Sequence, residues 1–245
     1  MKVYIITRRF LMVMGFGILL CCGIVYFGQS MIATEEVIIA SDVSGSPIYQ
    51  GNTGEKAVSI TVNVDWGEEF IPAMLEAFKK NDAEVTFFVT GKWAEKNQEL
   101  LKRMKDAGHS IQNHGYKHLH FNQLGADEVG QQIKMADEII KEATGEKTSY
   151  FASPYGEHND NLVKTVTGME YRFIMWSVDT IDWQRPSPEV IVDRVMKRVH
   201  NDAIILMHPT DPTVKALPEL LKQLKAENYQ MVSIEKIIME KTENK

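Results

Sequence analysis

Short apolar runs of strand type take turns with segments of helical periodicity from Lys56 to nearly the end of this 245-residue chain. Ala57–Val64 is rich in β-branched residues and reads as a strand. Glu68–Asn81 follows, with Phe70, Met74, Leu75 and Phe78 at helical spacing. The order then repeats. Strands are expected at Glu84–Val89, Ser110–Asn113, Tyr150–Ala152, Arg172–Trp176, Ala203–Met207 and Gln230–Ser233. Helices are expected at Ala94–Ala107, Asp127–Thr144, Ser187–His200, Leu217–Glu227 and Ile234–Lys241. Gly108 and Gly145 sit where C-caps belong, and Ser187-Pro188 is a helix start. Strand-then-helix order implies a parallel sheet with helices packed outside. About seven such units would close into a small or distorted parallel (β/α) barrel. In such folds chemistry sits at the C-terminal ends of the strands, which selects the polar residues that matter.

The front of the chain obeys different rules. Lys2, Arg8 and Arg9 precede an apolar run from Phe10 to Phe27, about the length needed to cross a bilayer. Residues 1–30 therefore read as an N-terminal membrane anchor or a signal segment, with the rest of the chain on the outside. Residues 31–55 are polar and read as a linker, with a short extended piece at Glu36–Ala40. Residues 56–241 are the folded domain. The net charge of −6 becomes −9 beyond the apolar segment, where 24 cationic side chains face 33 anionic ones. A nucleic-acid partner is excluded by that balance, and neutral sugars are compatible with it. The 2 cysteines, Cys21 and Cys22, are adjacent and build neither a disulfide framework nor a zinc site.

Five polar clusters fall at strand ends: Asn63-Val64-Asp65-Trp66-Gly67, Asn113-His114-Gly115-Tyr116-Lys117-His118, Phe151-Ala152-Ser153-Pro154-Tyr155-Gly156, Trp176 to Trp183, and Leu206-Met207-His208-Pro209. His114 and His118, four residues apart, bring two imidazoles to one ion if the segment turns, and Asp65 can supply a third donor. Asp65 also reads as a helix cap, and His114 and His118 also read as satisfied polar residues. His208 follows a buried strand and should project into the same mouth, with Asp179 or Asp182 to orient it or simply to make turns. His109, His120, His158 and His200 are expected on the surface.

In order and spacing these clusters resemble the polysaccharide deacetylase (NodB-homology, carbohydrate esterase family 4) domain, over about Lys56 to Lys241. Ser-Pro-Tyr-Gly, Asp-x-x-Asp-Trp and Leu-x-His carry most of the resemblance; His-Gly-Tyr-Lys-His is looser, with Gly115 where the family has a hydroxyl residue. The resemblance implies a divalent metal, usually zinc, on Asp65, His114 and His118. It implies removal of N-acetyl groups from GlcNAc- or MurNAc-type sugars of peptidoglycan or chitin-like polymers. His208 would protonate the leaving amine, oriented by Asp182 or Asp179. Tyr155 would mark the oxyanion hole, and Pro154, Trp183 and Leu206 the substrate pocket.

Two further positions depart from the family. Asn63 stands where the catalytic base, an aspartate, is expected, and a neutral amide cannot take a proton from water. Ala152 stands where an arginine would hold that base. Losing both leaves no unpaired buried charge. Two functions therefore compete: a slow exported deacetylase with a substitute base such as Glu68 or Asp179, and a catalytically silent relative that binds wall glycan or scaffolds wall assembly. A different amide or ester hydrolase on the same barrel is a third reading.

Overall fold

A computed structural model describes residues 45–238. The expected anchor at 1–30 and the extended piece at Glu36–Ala40 lie outside the described residues, among which no helix is long and apolar enough to cross a membrane.

Eight parallel strands form one curved sheet: β1 (Ala57–Val64), β2 (Thr86–Val89), β3 (Ser110–Asn113), β4 (Tyr150–Ala152), β5 (Arg172–Ile174), β6 (Val178–Asp179), β7 (Ala203–Met207) and β8 (Gln230–Met231). Seven run in the order β5-β4-β3-β2-β1-β7-β6, and β8 pairs with the start of β1. The expected distorted parallel (β/α) barrel takes the form of a half-barrel: β5 and β6, consecutive in sequence, lie at opposite ends of the strand order and do not pair. Residues before β1 meet the sheet at this seam. Ile48 bridges to Ile174 of β5 and Gln50 to Ala203 of β7. The carboxylate of Asp202 accepts from the Thr53 hydroxyl and the Gly54 N–H. The part of the expected linker from residue 45 onward is thus fastened to the domain, a role its polar composition does not reveal.

Alternation along β1 sorts its side chains to two faces. Val58, Ile60, Val62 and Val64 join the outer core, against Phe78 of α1 (Ile71–Lys80), Trp93 of α2 (Gly91–Lys96), Leu101 of α3 (Gln98–Asp106) and Leu221 of the C-terminal helices. Ala57, Ser59, Thr61 and Asn63 face inward. The inner face is apolar lower down, where Phe88, Tyr150, Ala152, Ile174 and Ile204 meet Ile234 and Ile237 of α8 (Ile234–Ile237). It turns polar toward the strand ends. A third cluster packs α4 (Ala126–Thr144) and α5 (Asp160–Gly168) onto β4 and β5.

Several helices depart from expectation for local reasons. The stretch expected as one helix at Ala94–Ala107 is two, α2 and α3, broken at Asn97. Helix α5 has no counterpart in the sequence reading, because Val163, Thr165, Val166 and Thr167 are poor helix formers. It is held by the Asn159 cap, whose side chain accepts from Leu162 N–H at 2.9 Å, and by burial of Leu162, Val163 and Val166. Helix α6 (Pro188–Met196) follows Ser187 as expected. Helix α7 (Asp211–Ala226) begins six residues before Leu217 and runs through Pro218. Proline reads as a boundary, yet packing of Ala216, Leu217 and Leu220 outweighs the one lost hydrogen bond.

His109, expected on the surface, is buried beneath Phe78 and Phe87, with ring centroids 5.7 and 5.5 Å away. Its Nδ1 accepts from Val85 N–H, and burial pushes its pKa from 6.5 down to about 4, against the opposing charge of Glu84. The unfolded chain therefore takes up a proton here that the folded chain refuses. Stability from this group is complete above pH 6.5 and is lost as pH falls toward 4. At pH 5 the loss should be on the order of 2 kcal/mol. His109→Asn, which keeps an acceptor for Val85, should flatten the acid limb of urea unfolding measured from pH 7 to 5; an unchanged slope would refute the assignment.

Candidate functional site

The inner faces of β1 and β7 place Asn63 and His208 side by side. Val62 registers with Met207, so the next residues on each strand share a level, and both belong to the inward parity. Neighbouring parallel strands are about 4.8 Å apart, so these two side chains are adjacent at the mouth.

His208 is held from below. Its Nδ1–H donates to Asp182 Oδ1 at 2.8 Å, and its backbone N–H donates to Asp182 Oδ2 at 2.7 Å. The Thr213 hydroxyl adds a third donor to Oδ2 at 2.7 Å and is backed by Thr210 at 2.7 Å. Asp182 is fully buried, and three donors offset the cost of placing a carboxylate there. Because Nδ1 is committed, Nε2 is the imidazole nitrogen left for a ligand. The Asp179 carboxylate is used differently: it accepts from Ile181 N–H at 2.7 Å. Of the two expected orienters, Asp182 holds His208 through both hydrogen bonds and Asp179 makes the turn.

That turn is strained. Ile181 (φ 52°) and Arg185 (φ 57°) are both left-handed and bracket the short helical turn Asp182–Gln184. A β-branched residue in this region is a true outlier, at a cost of about 1–3 kcal/mol. The strain delivers Asp182 beneath His208 and leaves Trp183 exposed at the rim. Trp66 lies parallel to the His208 ring (centroids 6.4 Å, interplanar angle 7°), and the Arg185 guanidinium sits over Trp66 at 5.5 Å. Gly67 permits this approach: its φ is 84°, and a Cβ there would lie 2.4 Å from the Pro209 carbonyl oxygen.

The opposite wall carries the imidazole pair. His114 and His118 have ring centroids 5.2 Å apart. His114 Nδ1 lies 2.7 Å from the Ala152 carbonyl oxygen. A carbonyl only accepts, so Nδ1 carries the proton and Nε2 the lone pair. Burial pushes the His114 pKa down to about 3, with His118 and His208 adding to the shift. Burial also lowers His118, and the Asp65 charge opposes this. Both rings are therefore neutral donors at pH 7. Asp65 Oδ1 accepts from the Thr90 hydroxyl at 2.8 Å, which fixes the carboxylate at the end of β1. Gly115 departs from the hydroxyl residue of the family for a steric reason. Its φ is 79°, and a Cβ would meet the buried Phe121 ring at 2.6 Å.

Tyr155 adopts φ 60° in the short helical turn Pro154–Gly156 and is exposed. In that position its N–H has no acceptor within the turn. Its ring stacks on His120 (4.2 Å, 12°) and meets the edge of His118 (4.5 Å). His120 is in turn paired with Glu157 at 2.7 Å. This backing of Tyr155 had no signal in the sequence beyond the nearness of His120 to His118. Pro154 and Leu206 are buried, Leu206 on the inward side of β7 below His208.

The floor is unusual. Asn63 is only 8% exposed, and its Oδ1 has no hydrogen-bond partner among the described residues. Ala152 lies on the inner face of β4 and brings no charge toward it. A divalent cation can be tested against this wall. The donor chemistry fits, with two neutral imidazoles and a fixed carboxylate. As placed, however, no three His, Cys, Asp or Glu side chains among the described residues close on a single point.

A parallel half-barrel with paired imidazoles and a carboxylate facing a buried-aspartate-held imidazole has the layout of a carbohydrate-esterase domain. The chain belongs to the polysaccharide deacetylase family, which it matches over residues 50–174. It is 37% identical over 194 residues to an uncharacterised protein, YlxY, of Bacillus subtilis (strain 168), covering 79% of this chain and 61% of that protein's length. It is 30% identical over 202 residues to the peptidoglycan-N-acetylglucosamine deacetylase of Bacillus cereus, covering 80% of this chain and 74% of that one. Among solved structures it resembles wild-type BA3943 of Bacillus anthracis, described as a CE4 family pseudoenzyme, with 40% identity and a TM-score of 0.77, covering 80% of this chain and 70% of that one. A BA3943 mutant described as having restored enzymatic activity matches equally well, with 39% identity.

Proposed function

We propose that this chain is an extracytoplasmic, membrane-anchored member of the deacetylase family that binds N-acetylated wall glycan and has lost turnover of its own. The observation that carries this reading is Asn63: buried, neutral, unpartnered at Oδ1, and adjacent to His208 at the mouth. Deacetylation needs a group there that removes a proton from water, and an amide cannot do so. The substitutes weighed from sequence are already engaged. Asp179 accepts from Ile181, and Glu68 Oε2 lies 3.4 Å from the Trp93 indole nitrogen.

Asp65, His114 and His118 are the donors that would hold a divalent cation, most simply zinc, once side-chain movements bring them to one point. Such an ion would supply Lewis-acid polarisation of a carbonyl and would acidify water. His208, oriented by Asp182, presents Nε2 to the leaving amine, and the Tyr155 N–H is offered to the carbonyl oxygen. Trp183, with Leu206 and Pro154 beneath, would flank the sugar. The substrate class is peptidoglycan or a chitin-like oligosaccharide, in line with what the Bacillus cereus relative is named for. Residues 1–30 would supply the anchor.

A second reading, slow hydrolysis, is favoured by the intact His208–Asp182–Thr213 chain, which a pure binding protein does not need. Acetate release from chitooligosaccharides and peptidoglycan, with added zinc or cobalt, separates the two. Release by the wild type rejects the silent reading. The ligand set is tested independently by elemental analysis: His114→Ala should reduce bound metal from stoichiometric to background, and unchanged metal content would refute it.

A further inference from the structure

We infer that Asn63 is an acetamido-recognition residue: its buried Oδ1 accepts the N–H of the sugar's N-acetyl group. This rests on the glycan-binding reading and assigns the contact that makes binding selective. A polar oxygen buried without a partner is a standing cost to the fold, since it has given up water and gained nothing. Such a group is retained where a ligand completes it. Asn63 is more than nine-tenths buried, with Oδ1 itself closed to solvent, and it lies on the inward face of β1 level with His208, so a turn of its amide toward the mouth is what would bring Oδ1 to a ligand. Its strand neighbours do not satisfy it. Phe88, its registered partner on β2, offers only a ring, and Thr61 two residues earlier already donates to the Ile205 carbonyl.

The chemistry matches an amide. A carboxylate at this position would accept a proton or demand a cation, whereas an amide oxygen accepts a neutral N–H without creating charge in a buried site. Ala152 adds no charge from the inner face of β4. The substitution that removes the base thus supplies a fixed acceptor for the very group that is no longer cleaved. A site built around a hydrogen bond to its ligand strongly rejects analogues lacking the donor, because its own acceptor is then left unpaired.

The test uses the purified full-length chain, calorimetric titration with chitotetraose and with the 2-O-acetyl ester of cellotetraose, and thermal unfolding. The two sugars share a backbone and acetyl groups, but the ester has an oxygen in place of each amide N–H and so no donor there. Wild type should prefer chitotetraose. Asn63→Leu, nearly the same shape without the acceptor, should weaken chitotetraose binding by about tenfold and leave binding of the ester unchanged. Its melting temperature should rise, because the unsatisfied oxygen is gone. A drop in melting temperature would mean the fold itself uses the Asn63 oxygen, and would overturn the inference. So would a Leu variant that keeps the full preference. If wild type binds both sugars equally, this assignment alone falls; if it binds neither, the glycan reading falls with it.

Discussion

Replacing Asn63 by Asp should switch on acetate release from chitooligosaccharides, by a factor on the order of 10²–10⁴ over wild type, the usual contribution of a general base. His208 is held by Asp182, His114 and His118 are a neutral pair, and Asp65 is fixed by Thr90, although these donors do not close on one point among the described residues. The new carboxylate would occupy a site only 8% exposed, with no cation at position 152 to pair with. Burial should therefore cost the single variant about 1–3 kcal/mol of stability and bias the carboxyl toward its protonated, inactive form. Asn63→Asp combined with Ala152→Arg should recover part of both losses by restoring the ion pair. The measurements are acetate assays with added zinc or cobalt, and urea unfolding of all three forms. If neither variant exceeds wild type, Asn63 does not occupy the base position.

Asp182→Ala should be among the most damaging single changes in the domain, costing about 3–5 kcal/mol. It strands three donors at once: His208 Nδ1–H, His208 N–H and the Thr213 hydroxyl. It also removes the reason for Ile181 and Arg185 to hold left-handed backbone. Thr213→Val, which deletes one of the three donors, should cost only about 1 kcal/mol. In the Asn63→Asp background, Asp182→Ala should lower acetate release by a factor on the order of 10²–10⁴, because His208 loses both its orientation and its tautomer. A midpoint of urea unfolding equal to wild type would show that the buried carboxylate contributes nothing net.

The strand positions were legible because burial on both faces writes near-continuous apolar runs, as in Ala203–Met207. Motif order placed Asp65, His114, His118 and His208 at the same ends of the parallel strands, with His118 near the other three, but no three of these side chains close on one point among the described residues. Helix α5 and the early start of α7 were hidden, since β-branched residues and Pro218 argue against helix locally and only packing overrules them. The choice between Asp179 and Asp182 could not be made from sequence either. Both sit in the same turn, and only the left-handed Ile181 decides which carboxylate passes under His208.

Sequence by itself determined the parallel β/α layering and the neutrality of position 63, because periodicity and side-chain chemistry are local properties. Tertiary structure alone decided that the sheet stays open, with residues 48 to 54 fastened at its seam, that His109 is buried, and that the Asn63 oxygen is left without a partner. Each of these depends on what distant segments bring to a given point, and hydrogen-bond satisfaction and solvent exclusion exist only once those segments have met.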